Sequence, residues 1–223
     1  MKSVYLRRLA RVAVLGLTAL GLAACAASET GTTNRLGSAV AARLTGKAPT
    51  AVPAYAALET SGGPQMQAVT ERLRSGDLLR LQSQRDGVQR WIGRYGPTFS
   101  MRDGMLVSSR GSGGDLMAAD VMQSARLIHA RQSGQAQRFH SYLDGANQIV
   151  TRSYICDVKD LRPYDLTLGS RVYPTRYLSE TCYGQGDRFT NYYWVDSRDG
   201  VIRQSRQRVS AYTGLVAFRQ ILQ

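Results

Sequence analysis

The residue with the most distinctive chemical setting in this chain is a cysteine near its start. Cys25 follows Leu22-Ala23-Ala24, and a cysteine thiolate is a nucleophile that can be alkylated to a thioether. The residues before it form a basic head and then an uncharged apolar run from Val12 to Ala24. A basic region, an apolar region and small residues, in that order, predict an export signal over residues 1–24 that is cleaved before Cys25.

The four residues Leu22-Ala23-Ala24-Cys25 resemble the lipobox, the cleavage and acylation site of bacterial lipoproteins. The resemblance implies that Cys25 becomes the mature N-terminus and carries a thioether-linked diacylglycerol and an amide-linked acyl chain such as palmitate. Three acyl chains anchor a protein far more firmly than one chain. Two alternatives stay open: an ordinary signal peptide with a chance cysteine, and a short membrane span, although a span needs roughly 20 apolar residues and this run is shorter.

Two further cysteines, Cys156 and Cys182, are predicted to form a disulfide. An even pair of cysteines in an exported protein favours this interpretation, because compartments outside the cytoplasm are oxidising. Closing a loop of this length would stabilise the fold by roughly 3–4 kcal/mol. The alternatives are two buried free thiols or a metal pair. The chain has no Cys-x-x-Cys motif and only two histidines, so neither a metal site nor a cofactor is predicted.

No set of residues predicts a catalytic mechanism. The sequence contains no Gly-x-Ser-x-Gly elbow, and the run Gly111-Ser112-Gly113-Gly114 lacks the ending of a phosphate-binding loop. His129 falls in a predicted helix and His140 in a predicted strand, and we expect both to be structural or solvent-facing. Two carboxylate pairs could be nominated for glycoside hydrolysis, Asp115 with Asp120 and Asp157 with Asp160, but no feature favours either. We therefore expect no catalytic residue.

Aromatic residues are concentrated in the run Tyr192-Tyr193-Trp194. In a strand, Tyr192 and Trp194 would share one face and Tyr193 would take the other. An aromatic face flanked by arginine can contact a saccharide, because it offers apolar rings beside polar groups. The predicted contact residues for a polysaccharide or a partner protein are Arg110, Tyr192, Trp194 and Arg206. The alternative is that these rings form a barrel core and an ordinary outer face.

Composition limits the fold and the partners. The chain has 223 residues, of which 43% are hydrophobic and 20% charged, so bulk disorder is not indicated. The formal net charge is +13; four positive charges and no acidic residue lie in the predicted signal, which leaves +9. A basic exported domain favours anionic partners such as lipid phosphates or acidic polysaccharide, and its compartment makes nucleic acid a poor candidate. Alternatively, the excess charge serves solubility alone.

Residues 25–64 are predicted to be a lipidated, flexible tether. They are rich in Ala, Ser, Thr and Gly and nearly free of aromatic residues, so they can bury little apolar surface. Apolar residues at helical spacing suggest short helices over Arg35–Leu44 and Gln67–Arg74. The remaining residues, 65–223, are predicted to form a single β-barrel-like domain.

Four Asp-Gly dipeptides separate β-rich segments and predict hairpins, because both residue types tolerate the positive φ of a tight turn. They are Asp86-Gly87, Asp103-Gly104, Asp144-Gly145 and Asp199-Gly200. Repeated hairpins predict a mainly β fold: an antiparallel meander that forms a curved sheet or β-barrel, with one or two short helices. One helix is expected to begin at Asp115, as its N-cap, and to continue through Gln123–Arg131 across one end of the sheet.

Several blocks of the sequence resemble the YjbF/GfcB family of bacterial lipoproteins, which is associated with exopolysaccharide and group 4 capsule formation. The matching features are the lipobox at Cys25, the run from Met101 to Leu116, the spaced Cys156 and Cys182, and the segment Asn191–Asp196 with Gly200, Ser205-Arg206-Gln207 and Gly214. The chain departs from the family pattern at Ser109, where Thr is expected, and at Ser112, where a larger apolar residue is expected.

The resemblance implies a β-barrel-like fold, a periplasmic domain, attachment to the outer membrane and a role in polysaccharide secretion, and it supplies no catalytic residue. Ala26 agrees with outer-membrane sorting, because Asp at that position would resemble an inner-membrane retention signal. We therefore predict a non-enzymatic lipoprotein on the periplasmic face of the outer membrane that assists exopolysaccharide or capsule assembly and export. Its predicted partners are the membrane, an anionic polysaccharide and an outer-membrane export protein.

Three rival functions remain at this point. An enzyme that trims polysaccharide or peptidoglycan would need a pocket with two suitably spaced carboxylates. A periplasmic lipid or lipoprotein carrier would need a large apolar cavity inside the barrel. A structural module that only recruits partners would need neither.

Overall fold

The computed structural model describes residues 51–221, which form one antiparallel sheet of twelve strands and two short helices. The helices are α1 (Pro53–Ser61) and α2 (Met122–Ala130). The strands are β1 (Gln65–Thr70), β2 (Ser75–Arg85), β3 (Val88–Gly93), β4 (Thr98–Arg102), β5 (Met105–Arg110), β6 (Ala118–Asp120), β7 (Gly134–Leu143), β8 (Ile149–Leu168), β9 (Arg171–Gly184), β10 (Asp187–Asp196), β11 (Ile202–Ser210) and β12 (Gly214–Ile221).

The sheet is a nearly closed barrel in which almost every strand pairs with its neighbour in sequence. β1 pairs with β12, so the first and last strands meet, and the two free edges belong to β5 and β6. These edges approach each other where the Ser109 amide donates to the carbonyl of Leu116 at 2.8 Å. Bonding across this seam shortens the exposed edges. The predicted antiparallel meander, curved into a barrel-like sheet with two short helices, is confirmed.

Because consecutive strands are antiparallel, their connections alternate between two ends of the barrel. We call the end that carries α2 and the connections after β2, β4, β8 and β10 the helix end. The opposite end carries the connections after β1, β3, β5, β7, β9 and β11, and we call it the turn end. All four Asp-Gly dipeptides connect paired strands, as predicted.

The Asp-Gly turns differ in backbone conformation. Asp86-Gly87 and Asp103-Gly104 place both residues at positive φ, as a type I′ turn requires. At Asp144-Gly145 the positive φ falls instead on Asn147, while the Asp144 carboxylate accepts the amides of Ala146 and Gln148. The Asp-Gly dipeptides therefore predicted where hairpins occur, but they did not predict the type of turn in every hairpin.

The barrel interior is filled by side chains from the inner face of the sheet and from α2. One cluster around Leu79, Phe99 and Phe218 occupies the side formed by β1 to β5 and β12. A second cluster joins Ile128 of α2 to strand residues that include Leu178. α2 thus crosses the helix end, as predicted, and buries its apolar side against the strands.

Three local predictions differ from the structure. Of the predicted helix Gln67–Arg74, residues 67–70 belong to β1 and residues 71–74 form the turn after it. β1 forms because pairing with β12 and β2 on both sides satisfies its backbone and alternate residues face the core. α2 begins at Met122, not at Asp115, because the Asp115 carboxylate accepts the amides of Gly111 and Ser112 and so closes the glycine loop instead of capping a helix.

The end of the predicted tether is also folded. α1 lies within residues 25–64, starts with Pro53, and buries Tyr55 to 1% exposure, while the amide of Val52 donates to the carbonyl of Arg94. The single tyrosine supplies the buried apolar contact that the composition of this segment otherwise lacks. The predicted helix Arg35–Leu44 lies outside the described residues. Over residues 51–221, no helix is long and apolar enough to cross a membrane.

Candidate functional site

The interior of the barrel contains the predicted disulfide and, beside it, a buried ion pair that the sequence did not suggest. Cys156 and Cys182 are directly opposite in β8 and β9 and are joined by a disulfide bond. The guanidinium of Arg138 donates to the Glu180 carboxylate at 2.6 Å, and their side chains are 2% and 0% exposed. The carboxylate lies near both sulfurs, but sulfurs bonded to each other are not thiolate ligands, so this group does not form a metal site.

The environment of this ion pair keeps both partners charged. Burial opposes ionisation of Glu180, but the Arg138 charge and a hydrogen bond from Asn191 outweigh it and lower the pKa of the carboxyl. Burial likewise opposes the charge of Arg138, yet the Glu180 carboxylate raises the pKa of the guanidinium. Tyr193 donates its hydroxyl to the same carboxylate at 2.8 Å. The pair is therefore a fixed structural element that fills space a carrier would need for a lipid.

Tyr192 and Trp194 share one face of β10 and Tyr193 takes the other, as predicted. Tyr193 points into the barrel with 0% exposure, which places Tyr192 and Trp194 on the outer face. Trp194 is only 8% exposed, however, because other residues of the chain cover it.

The cover is the far end of the β8–β9 hairpin. The register of β8 shifts between Asp160 and Arg162, and such a bulge bends a strand. The Asp160 carboxylate accepts hydrogen bonds from Nε and Nη2 of Arg176 at this bend. Beyond it, the carbonyl of Thr167 reaches Arg219 in β12. The hairpin thus folds across the outer face, and Trp194 packs in a cluster with Leu166, Leu168 and Tyr173.

Beside this cover, the outer face carries a partly exposed row of arginine and tyrosine side chains across four strands. Arg162 of β8 lies over the ring of Tyr177 of β9, with 5.7 Å from Cζ to the ring centroid. Tyr177 stacks on Tyr192 of β10 with centroids 5.8 Å apart and planes 13° apart. Arg206 of β11 lies over Tyr192 at 5.2 Å. We call Arg162, Tyr177, Tyr192 and Arg206 the arginine–tyrosine row.

The two ends of this row differ in their electrostatics. Arg206 donates to both carboxylate oxygens of Glu71, one at 2.7 Å, and this hydrogen bonding raises the pKa of its guanidinium. Arg162 is exposed, and among residues 51–221 it has cation–π contacts and no carboxylate partner. A stacked aromatic row that ends in a guanidinium without a carboxylate partner among these residues is suited to a sugar that carries an anionic group.

Arg110 does not belong to this row. Its guanidinium donates to the carbonyls of Ser109, Leu116 and Met117, and so it bridges the seam between β5 and β6. Ser109 and Ser112, the two departures from the family pattern, bond each other and Asp115 within the same loop. Arg110 therefore holds the seam together.

The other nominated polar residues have structural partners. Asp120 accepts the amide of Met122, and Asp157 accepts a hydrogen bond from Gln135. His129 contacts the carbonyl of Gly200 at 2.9 Å. His140 is fully buried against Tyr142 at 3.0 Å, and burial lowers its pKa well below the ordinary value, with help from Arg138 and Arg208.

A cavity of about 460 Å³ opens at the helix end. Met101 and Phe218 contribute apolar surface, while Asp103, Asp199 and Arg203 contribute charge. Asp199 is engaged by Arg203 in an ion pair. This mixed lining differs from the large apolar cavity that a lipid carrier would need.

The structure therefore assembles three of the four predicted contact residues and adds two. Tyr192, Trp194 and Arg206 lie on one surface, Trp194 largely beneath the hairpin. Arg162 and Tyr177 were missed because their pairing across β8 and β9 depends on the bulge, which the sequence does not reveal. The predicted acylation site, Cys25, lies outside the described residues.

Comparison with known proteins supports this architecture. Residues 40–221 match the family model described as "Group 4 capsule polysaccharide lipoprotein gfcB, YjbF". The chain is 27% identical over 165 residues to the uncharacterized lipoprotein YjbF of Escherichia coli K12, covering 69% of this chain and 68% of that protein. The crystal structure of the hypothetical lipoprotein YmcC from Escherichia coli K12 superposes with a TM-score of 0.64 at 16% identity, over 71% of this chain and 86% of that one, and shows the same fold. The chain belongs to the YjbF family of group 4 capsule polysaccharide lipoproteins.

Proposed function

We propose that this protein is anchored by acylated Cys25 to the periplasmic face of the outer membrane and assists, without catalysis, the assembly or export of an exopolysaccharide or capsule. The observation that carries the proposal is the family match over residues 40–221. The Leu22-Ala23-Ala24-Cys25 pattern and the absence of Asp after the cysteine support the anchor and its location.

The arginine–tyrosine row is the surface through which we propose that the protein contacts the polymer. The two stacked tyrosine rings offer their edges and hydroxyl groups to sugars, since their faces are covered by each other and by the two guanidinium groups. The guanidinium of Arg162 offers a bidentate donor to a carboxylate or phosphate group on the polymer. An outer-membrane export protein would receive the polymer while Cys25 holds this domain beside it. This arrangement needs no cofactor and no reacting group.

The anchor is tested genetically. In a strain that lacks the gene, surface and secreted polysaccharide are measured after complementation with the wild-type chain or with Cys25→Ala. We expect the wild-type chain to restore the polymer and the Cys25→Ala chain to fail, although it accumulates in the periplasm. Unchanged polymer in the deletion strain would remove the proposed function.

The contact surface is tested by binding. We expect Arg162→Ala together with Tyr192→Ala to weaken binding of the strain's purified polymer about tenfold or more, since a cation–π or stacking contact contributes about 1 kcal/mol. Arg188→Ala is the matched control, because Arg188 lies over Tyr183 at 5.1 Å but outside the row. Equal weakening by the control variant would show that only general positive charge matters.

A further inference from the structure

The geometry points to a second membrane contact made by the barrel itself. We propose that the turn end of the barrel rests on the surface of an anionic lipid bilayer, with apolar turn residues inserted into the interfacial region. This contact is separate from the acyl chains of the proposed anchor, and its test does not depend on them.

Exposed apolar and aromatic side chains project from the connections at the turn end. Leu73 in the β1–β2 turn is 62% exposed, Tyr95 in the β3–β4 turn 49%, and Tyr212 in the β11–β12 turn 68%. At the β7–β8 hairpin, Leu143 and Ile149 face each other across the strands and are 45% and 70% exposed. Leucine, isoleucine and tyrosine are the residue types that enter the interface between headgroups and acyl chains.

Arginine flanks the same turns. The β1–β2 turn reads Arg72-Leu73-Arg74, and Arg94 precedes Tyr95. Arg152 lies near the β7–β8 hairpin, over the ring of Tyr142 at 5.8 Å. Guanidinium groups beside inserted apolar residues bind lipid phosphates, and each basic residue near an anionic bilayer adds about 1 kcal/mol of attraction.

Direct contacts hold several of these turns together, so that they form one surface. Arg72 donates to the carbonyls of Ala211 and Tyr212 at 3.1 Å each, which joins the β1–β2 and β11–β12 turns. The Tyr212 ring lies against Gly113 of the β5–β6 loop so closely that an added Cβ would be 2.8 Å from it. Tyr142, next to Leu143, donates to the carbonyl of Val209 at the end of β11.

The path of the chain distinguishes this end from the other. The amide of Val52 bonds the carbonyl of Arg94 at 3.0 Å, so the described part of the chain, which begins at residue 51, starts at the β3–β4 turn, beside Tyr95. Three connections at the helix end contain the acidic dipeptides Asp86-Gly87, Asp103-Gly104 and Asp199-Gly200, whereas the turn end contains one, Asp144-Gly145. With the turn end on the bilayer, the mixed cavity at the helix end opens away from the lipid.

Environment-sensitive fluorescence tests the orientation. Single cysteines are introduced in the mature protein as Leu73→Cys, Ile149→Cys and Tyr212→Cys and labelled with a nitrobenzoxadiazole dye. The matched controls are Met122→Cys, Val172→Cys and Val201→Cys, which replace apolar residues at the helix end that are 62%, 59% and 36% exposed. The parent chain, taken through the same labelling, gives the background from Cys25. The probe is vesicles of about 70% phosphatidylcholine and about 30% phosphatidylglycerol. The vesicles are added both to the acylated protein and to the protein without acyl chains.

We expect vesicles to raise the dye emission at the three turn-end positions at least about threefold and to leave the helix-end positions unchanged, because only the turn-end dyes leave water for the interface. Quenching of the turn-end dyes by spin-labelled lipid would accompany the rise. Dyes that remain in water at the turn end, or equal responses at both ends, would overturn the proposal. The readout is dye emission and not polymer secretion. A negative fluorescence result would therefore overturn only the bilayer contact, and a negative secretion result would leave the bilayer contact unaffected.

Discussion

The buried ion pair between Arg138 and Glu180 provides a sharp test of how the barrel is held together. Both side chains are at most 2% exposed and the two charged atoms are 2.6 Å apart. Replacing Arg138 by Met leaves the Glu180 carboxylate buried without its cation, and breaking a buried pair in this way costs about 3–5 kcal/mol. We expect Arg138→Met to lower the free energy of unfolding at pH 7 by that amount.

The pH dependence of this loss has a definite sign. In the wild type the folded-state pKa of Glu180 lies below its ordinary value of 4.5, so its contribution to stability is present above pH 4.5 and declines as the pH falls through the folded-state pKa. In Arg138→Met the burial of Glu180 is no longer offset by the cation, so we expect its folded-state pKa to rise above 4.5. The variant should then regain stability relative to the wild type as the pH falls from 7 towards 4.5.

Urea unfolding at several pH values, followed by the fluorescence of Trp91 and Trp194, measures these differences. The matched control is Arg94→Met, because Arg94 pairs with Glu59 at 3.5 Å with side chains 46% and 41% exposed. A surface pair of this kind contributes about 0–1 kcal/mol. A loss below about 1 kcal/mol in Arg138→Met, or a loss that does not change with pH, would refute the reasoning.

Three further predictions concern the stability of the fold and use the same unfolding assay. Replacing His140 by Phe should flatten the stability profile below pH 6.5, because the buried imidazole has a lowered pKa and only the unfolded chain takes up its proton there; an unchanged slope would contradict the burial argument. Gly104→Ala should cost more than about 1 kcal/mol, because φ is +80° and the new Cβ would lie 2.9 Å from Ile202, whereas Gly145→Ala, with open space around it, should be nearly neutral. Reducing the Cys156–Cys182 disulfide, or replacing both cysteines by Ala, should lower stability by about 3 kcal/mol, and no change in the urea midpoint would contradict this.

The sequence predicted the meander because its evidence was local. Asp86-Gly87 and Asp103-Gly104 carry the residue types that a tight turn requires, and the strands on either side follow from β-rich composition. The shared face of Tyr192 and Trp194 also followed from the alternation of side chains along a strand, but the sequence did not decide which face is the outer one. Such features depend only on residues that are adjacent in the chain.

Other features depended on contacts between distant residues and were missed. The segment Gln67–Arg74 was interpreted as a helix because Val69 and Leu73 have helical spacing, but its first four residues belong to β1, whose pairing with β12, from the other end of the chain, decides their structure. The cover over Trp194 arises from a bulge and a hairpin that crosses three strands. The Arg138–Glu180 pair joins β7 to β9, and neither residue is distinguishable in sequence from an exposed one. Arg110 was predicted to contact a polysaccharide or partner, but its guanidinium hydrogen-bonds carbonyls across the seam between β5 and β6.

We propose that the arginine–tyrosine row of the membrane-anchored protein contacts the polymer during export. The most direct measurement is the secreted and surface polysaccharide of a deletion strain complemented with Arg162→Ala/Tyr192→Ala, with Arg188→Ala or with the wild-type chain, at equal protein levels. We predict that polymer falls strongly with the double variant and is restored by the other two chains. Full polymer secretion with the double variant would contradict the assignment of this surface.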